Sequence, residues 1–224
     1  MSKVLFIAVH PDDETLACGG TIFKHKEQGD EIYWLTITNV TKDHPMKFTD
    51  ELVAERKQLV DRISLYYGFN ETISLDLPTI YLHTIDLAEF VNKLNQVINR
   101  IQPNVIYIPF KNDVHSDHRI TFEAVYSCTK SFRKPFVEKV YMIEALSETE
   151  FAPAIPSETF VPNVYVDITC YIDKKIEAMS IYEKEIMPEP FPRSLSSIKA
   201  LARVRGSRAG VMYAEAFMLL YERR

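Results

Sequence analysis

Two short segments carry residue types that can do chemistry together. The first is His10-Pro11-Asp12-Asp13-Glu14, which follows directly on the apolar run Val4-Leu5-Phe6-Ile7-Ala8-Val9. The second is His115-Ser116-Asp117-His118. A strand ending in one histidine and three acids crowds like charges, and these resist desolvation unless something positive neutralises them. A divalent cation would do so. The two histidines and the acid of the second segment complete a mixed nitrogen and carboxylate donor set suited to zinc, with groups left over for catalysis.

Spacing suggests roles. His10 and Asp13 are three apart at a strand-to-helix bend, so both can aim at one point. His118, near the start of a later helix, completes a facial set from across the sheet. Asp12 then lies beside the cation without binding it, where it can act as general base. Zinc lowers the pKa of a bound water towards about 7, so a carboxylate base suffices. His115, one helical turn before His118, can protonate a leaving group or, as a cation, stabilise an oxyanion. Asp117 could hold a histidine's second ring nitrogen and fix its tautomer. Iron(II) could occupy the same ligands. Each segment alone has a plainer reading, as a turn or as a capped helix with a solvated face. Their common position in the fold decides for chemistry.

That position follows from the order of elements. Residues 4–9 read as a strand buried on both faces, because no polar alternation interrupts them. Residues 14–28 read as a helix closed near Gly29, and 31–37 as a second strand. A polar loop with Pro45 leads to a helix over 49–67, stopped near Gly68. A short strand at 72–75, a helix at 86–101 and a strand at 105–109 follow. The loop bearing His115 and His118 then precedes a helix expected at 120–132. Strands alternating with helices imply an α/β fold with a parallel sheet and helices on both faces. Ligands bind such sheets at the carboxyl ends of strands, where both segments fall.

The last third is less regular. Strand-like residues 139–143 and 164–166, helical stretches at 168–185 and 195–204, and an apolar run at 213–221 of either type form an α+β elaboration. No linker or repeat separates it. A single domain over 1–224 is expected, with its core in 1–135 and the elaboration in 136–224.

Composition narrows the function. The chain has 224 residues, 46% hydrophobic and 25% charged, with 26 Lys and Arg against 31 Asp and Glu and a net charge of −5. Its pI near 5.7 argues against general nucleic-acid binding, where basic patches dominate. The three cysteines, Cys18, Cys128 and Cys170, are widely spaced and form no CxxC, which suits free thiols in a reducing cytoplasmic compartment. Lys3 and the apolar run after it resemble the start of a signal peptide. The run ends at His10 without a small-residue cleavage site, and so reads as a strand. No stretch reaches membrane-spanning length.

The residues themselves are similar to a known family. Ala8-Val9-His10-Pro11-Asp12-Asp13-Glu14 with Gly19-Gly20-Thr21 behind it, and then His115-x-Asp117-His118, resemble the PIG-L/LmbE-like zinc-dependent N-acetylglucosamine deacetylases. The closing residues Ala200-Leu201-Ala202-Arg203-Val204-Arg205-Gly206 and Gly210-Val211-Met212-Tyr213-Ala214-Glu215-Ala216-Phe217 carry the resemblance to the end of the chain. It implies a Rossmann-like fold and removal of acetyl from an N-acetylated amino-sugar conjugate. It implies His10, Asp13 and His118 as zinc ligands, Asp12 as base, and His115 as acid or oxyanion stabiliser. Asp117 would orient the neighbouring histidine, and Arg56 would contact substrate. The acid usual three residues after that arginine is Leu59 here; Glu55 lies on another helix face. Ser116 stands where proline is common. Family members often form homo-oligomers, so that state is an expectation too.

Other readings keep part of the pattern. A metal-dependent amidase acting on another amide, such as a thiol conjugate, needs the same ligands. Phosphoesterases more often use two metals. A non-catalytic nucleotide-sugar module lacks its GxGxxG after the first strand. Arg193, Lys199, Arg203, Arg205 and Arg208, with no acid among them, suggest either a surface helix or an electropositive rim for a phosphate-bearing carrier. His25 is expected on a solvated face, His44 could border the pocket, and His83 is expected to be structural or exposed.

Overall fold

The computed structural model describes every residue from Met1 to Arg224. One seven-stranded sheet is built from β1 (Lys3–Ala8), β2 (Glu31–Asn39), β3 (Glu71–Pro78), β4 (Val105–Ile108), β5 (Lys139–Met142), β6 (Val164–Asp167) and β7 (Ala214–Glu222). The spatial order is β3-β2-β1-β4-β5-β7-β6. The first five run parallel, and β7 is antiparallel to both β5 and β6. The run at 213–221, open between strand and helix on sequence, is thus the strand that turns the sheet's direction. Six helices pack on it: α1 (Asp13–Glu27), α2 (Asp50–Tyr67), α3 (Leu87–Ile101), α4 (Ser116–Ser127), α5 (Ile172–Ile181) and α6 (Leu195–Ala209).

The central strand β1 explains its own composition. Leu5 and Ile7 point into a core shared with α3 and α4, while Val4, Phe6 and Ala8 point into one shared with α1, α2 and α5. Burial on both faces removes any need for polar alternation. The chain winds from β1 through β2 to β3 on one side and then crosses to β4 on the other. That reversal opens a crevice beyond the carboxyl ends of β1 and β4.

Three helices differ from the sequence reading. The helix expected at 120–132 is α4, which starts at Ser116 and ends at Ser127. His115 caps it by accepting the Asp117 N–H, and Asp117 supplies an acid to the first turn, both of which favour an earlier start. The long stretch at 168–185 is shortened to α5, with single 3-10 turns at Thr169–Tyr171 and Glu183–Glu185. α6 runs on to Ala209, where Gly210 ends it at φ 74. No helix is long and apolar enough to cross a membrane.

The closing strand is tied to α1 by buried charge. Glu215 accepts the backbone N–H of Gly20 at 2.9 Å and of Thr21 at 2.7 Å. It also accepts Lys175 Nζ at 2.6 Å, and that ammonium donates to the Leu16 carbonyl at 2.8 Å. Gly19 permits the approach of Lys175, and Gly20 that of Ile168. A Cβ at Gly19 would stand 2.9 Å from Lys175 Cγ, and one at Gly20 would stand 2.6 Å from Ile168 Cβ.

Candidate metal centre and active site

Beyond β1 the chain bends at His10 and enters α1 at Asp13. Asp13 Oδ2 accepts the backbone N–H of Val9 at 3.0 Å and of His10 at 2.9 Å, which fixes the carboxylate against the end of the strand. Asp12, between them, has φ 146, a conformation that costs energy for a residue with a side chain. It is held there from two sides. Its N–H donates to Glu14 Oε2 at 3.1 Å, and its Oδ2 accepts Arg193 Nη1 at 2.8 Å. Glu14 is in turn held by the hydroxyls of Thr15 and Tyr182, each at 2.6 Å. Burial pushes the Glu14 carboxyl up to about 7.

The second segment arrives from β4. His118 is fully buried, and its Nδ1 lies 2.8 Å from Asp113 Oδ2. Asp113 is itself fixed by the Thr149 hydroxyl, which donates to Oδ1 at 2.7 Å. A carboxylate at Nδ1 fixes a proton there, so the neutral ring carries its lone pair on Nε2. That Nε2 is buried, 3.4 Å from Asp13 Oδ2, with no hydrogen-bond partner. His10 Nε2 is likewise buried and unpartnered, 3.5 Å from Asp117 Oδ2, and its Nδ1 lies 4.0 Å from Asp13.

Ligand atoms of His10, Asp13 and His118 lie within 4.8 Å of one another. Burial would raise the Asp13 carboxyl, but the charges of His118 and His10 outweigh it and hold the group well below the usual range. Burial would lower His118, but Asp13 and Asp113 push it well above. The site therefore favours positive charge at the point where the three residues meet. His118 Nε2, orphaned beside the fixed Asp13 carboxylate that His10 Nδ1 also approaches, fits a divalent cation.

Around this point the cleft is about 200 Å³, and His115, Arg56, Glu148 and Arg193 contribute to its walls. His115 Nδ1 accepts the Asp117 N–H at 3.1 Å, so the ring proton resides on Nε2. Burial and the nearby His10 push His115 down to about 4. It is thus neutral at neutral pH, a hydrogen-bond donor rather than the cation that the spacing also allowed. Asp117 is fully buried and accepts the N–H of Ile80 at 2.6 Å, bracing the turn after β3. The histidine beside its carboxylate is His10, across the sheet. Its sequence neighbour His118 is oriented by Asp113, contrary to the sequence expectation.

Arg56 does reach the cleft. Its Nη1 meets Glu185 Oε1 at 2.9 Å, and Glu185 Oε2 lies 3.4 Å from Arg193 Nη1. Glu185, from another segment, is thus the acid that pairs with Arg56, while Glu55 pairs with Lys184 at 2.6 Å. The basic run from Arg193 to Arg208 does not form one rim. Arg193 enters the cleft, Lys199 pairs with Asp173, Arg205 pairs with Glu144, and Arg203 donates to the Met212 carbonyl. His44 is buried against the Thr79 carbonyl at 3.0 Å, and His25 is held between Asp30 and Tyr107 rather than solvated. His83 is exposed.

Sequence reasoning missed Asp113 and Glu185 and misread Arg193. Asp113 was the findable one, an acid five residues before His118 in the same loop. Nothing local marks Glu185, which lies 129 positions from Arg56.

The family described as "PIG-L: GlcNAc-PI de-N-acetylase" matches residues 5–129, more than half of the chain and both segments of the site. The chain belongs to the PIG-L family. Members of the PIG-L family are deacetylases, hydrolases that act on amide bonds. Diacetylchitobiose deacetylase of Thermococcus kodakarensis is 25% identical, over 96% of this chain and 82% of its own length. A conserved protein of Thermus thermophilus superposes with a TM-score of 0.78 at 27% identity, covering 100% of this chain and 97% of that one. The 4-carboxy-2-hydroxymuconate hydratase of Pseudomonas putida superposes almost as well, with a TM-score of 0.77 at 19% identity over 100% and 98% of the two chains. The fold by itself thus carries more than one chemistry, so the substrate has to be argued from the site.

Proposed function

We propose that this chain is a zinc-dependent N-deacetylase that removes the acetyl group from an N-acetylglucosamine-type sugar conjugate. The observation that carries the reading is His118. Asp113 locks its Nδ1, and its Nε2 is left buried and unpartnered beside Asp13. The family and the diacetylchitobiose deacetylase relative support the amide substrate.

His10, Asp13 and His118 would hold the ion, with iron(II) able to serve in place of zinc. When bound it supplies Lewis acidity towards a carbonyl oxygen and towards water. The remaining work falls to the chain's own groups. Asp12 takes the proton from the attacking water and later returns it to the departing amine. Burial and the Asp13 charge raise its carboxyl well above the usual range, against the opposing charge of Arg193. His115 Nε2–H donates to the carbonyl oxygen as negative charge develops there, at no cost for charging the ring. Asp117 braces His10, and Arg56, fixed by Glu185, faces the sugar. Three free cysteines, two of them buried, support a reducing cytoplasmic setting.

The test is acetate release after chelation and zinc restoration. The panel would be free N-acetylglucosamine, its inositol and malate conjugates, and diacetylchitobiose. Zinc-dependent release of acetate and free amine from one member is expected. Asp12→Asn should lower kcat about 10²- to 10⁴-fold with metal content intact. No acetate from any member, with one zinc bound, would overturn the reading.

A further inference from the structure

A second cavity adjoins the cleft and has no part in the chemistry above. It measures about 290 Å³ and lies between α2 and the chain segment Ile181–Glu185. Arg56 and Glu185 belong to the walls of both spaces, so their ion pair is the shared partition. The size is close to the lower bound of small-molecule sites, about 300 Å³.

Its chemistry is specific. The apolar part is made by Val40, Leu52, Leu59, Ile181 and the ring of Tyr182. The Tyr182 hydroxyl is already spent on Glu14, so the ring offers only its hydrocarbon surface. The charged part cancels: Arg56, Arg62 and Lys184 stand against Glu55, Glu183 and Glu185. Arg56–Glu185 and Lys184–Glu55 are already paired, at 2.9 and 2.6 Å. An anionic group would find no net positive field here and would have to displace carboxylates. An uncharged group would bury apolar surface against apolar surface.

We infer that this cavity is the carrier subsite, and that it takes an uncharged, largely apolar group, an aromatic ring or short alkyl chain, attached to the sugar. The inference rests on the proposed sugar substrate and adds the class of its carrier. Leu59 has a role in it. An acid at that position, one helical turn after Arg56, would put a charge on the apolar wall. With Glu185 supplying the partner of Arg56 from another segment, Leu59 leaves that wall uncharged.

The test is binding calorimetry on zinc-loaded Asp12→Asn protein, which keeps substrate intact. The probes are the methyl, hexyl and phenyl β-glycosides of N-acetylglucosamine and its 1-phosphate. The hexyl and phenyl glycosides should bind about tenfold more tightly than the methyl glycoside, and the phosphate no better than methyl. Leu59→Trp, which fills the cavity, should bring the hexyl-to-methyl ratio close to one. Gln58→Trp, at an exposed position on the same rim, should do the same if Leu59→Trp folds poorly. Equal binding of methyl and hexyl glycosides, a preference for the phosphate, or an unchanged ratio in a folded variant would each overturn the inference. Selective binding of hexyl glycosides by a protein whose wild type releases no acetate would instead strike only the proposed reaction.

Discussion

Two clusters of buried charge sit against α1, and they are finished differently. Along the helix, Lys175 and Glu215 are closed. Each carboxylate oxygen of Glu215 has a donor, and the ammonium has the Leu16 carbonyl as well as the carboxylate. At its N-terminal end, His10, Asp13 and His118 are open, with two buried imidazole nitrogens that nothing in the chain satisfies. Buried charge by itself therefore marks no function. A closed cluster fastens β7 and α5 to α1, while an open one has capacity left for a ligand.

The largest effect that could break this contrast is on stability. Lys175→Met leaves Glu215 buried without its counter-charge and should cost about 3–5 kcal/mol in urea unfolding. Zinc bound per folded molecule should not change. A variant as stable as wild type would show that the closed cluster fastens nothing.

A smaller effect lies on the open side. Asp113→Ala removes the carboxylate that fixes His118 Nδ1, and should weaken zinc binding about 10- to 100-fold with modest change in stability. Unchanged zinc affinity would mean that His118 needs no such partner.

The smallest is a pH effect on the wall of the cleft. Burial pushes the Glu148 carboxyl up to about 7, against the opposing charge of His118. Its folded value lies above the ordinary 4.5, so its contribution is complete below about pH 4.5 and is lost as pH rises through about 7. In chelated protein, Glu148→Gln keeps the neutral form and should gain stability relative to wild type as pH rises through that window. Parallel stability curves for the two proteins would remove burial as the governing influence on this group.

The same contrast explains what could be read from the chain. His10, Asp13 and His118 were legible because each sits within a short loop of a strand end, where topology alone predicts a site. The alternation of strands and helices likewise revealed the parallel half of the sheet. The start of α4 was misplaced by four residues because its polar first turn, His115 to His118, reads as loop until its cap is seen. Glu185 and Arg193 come from turns in a proline-punctuated stretch far along the chain. Their arrival at Arg56 and Asp12 depends on how α5 and α6 pack, which no local pattern encodes. Glu215 was visible only as part of a family-like closing segment, and its use as the centre of the closed cluster required the fold.

The most direct measurement is a zinc titration of the chelated protein by calorimetry, run on wild type and on His118→Ala. The open cluster predicts one equivalent bound by wild type, and affinity reduced at least about 100-fold in the variant while it remains folded. A wild type that takes up no zinc, or a variant that binds one equivalent as tightly as wild type, would contradict the account.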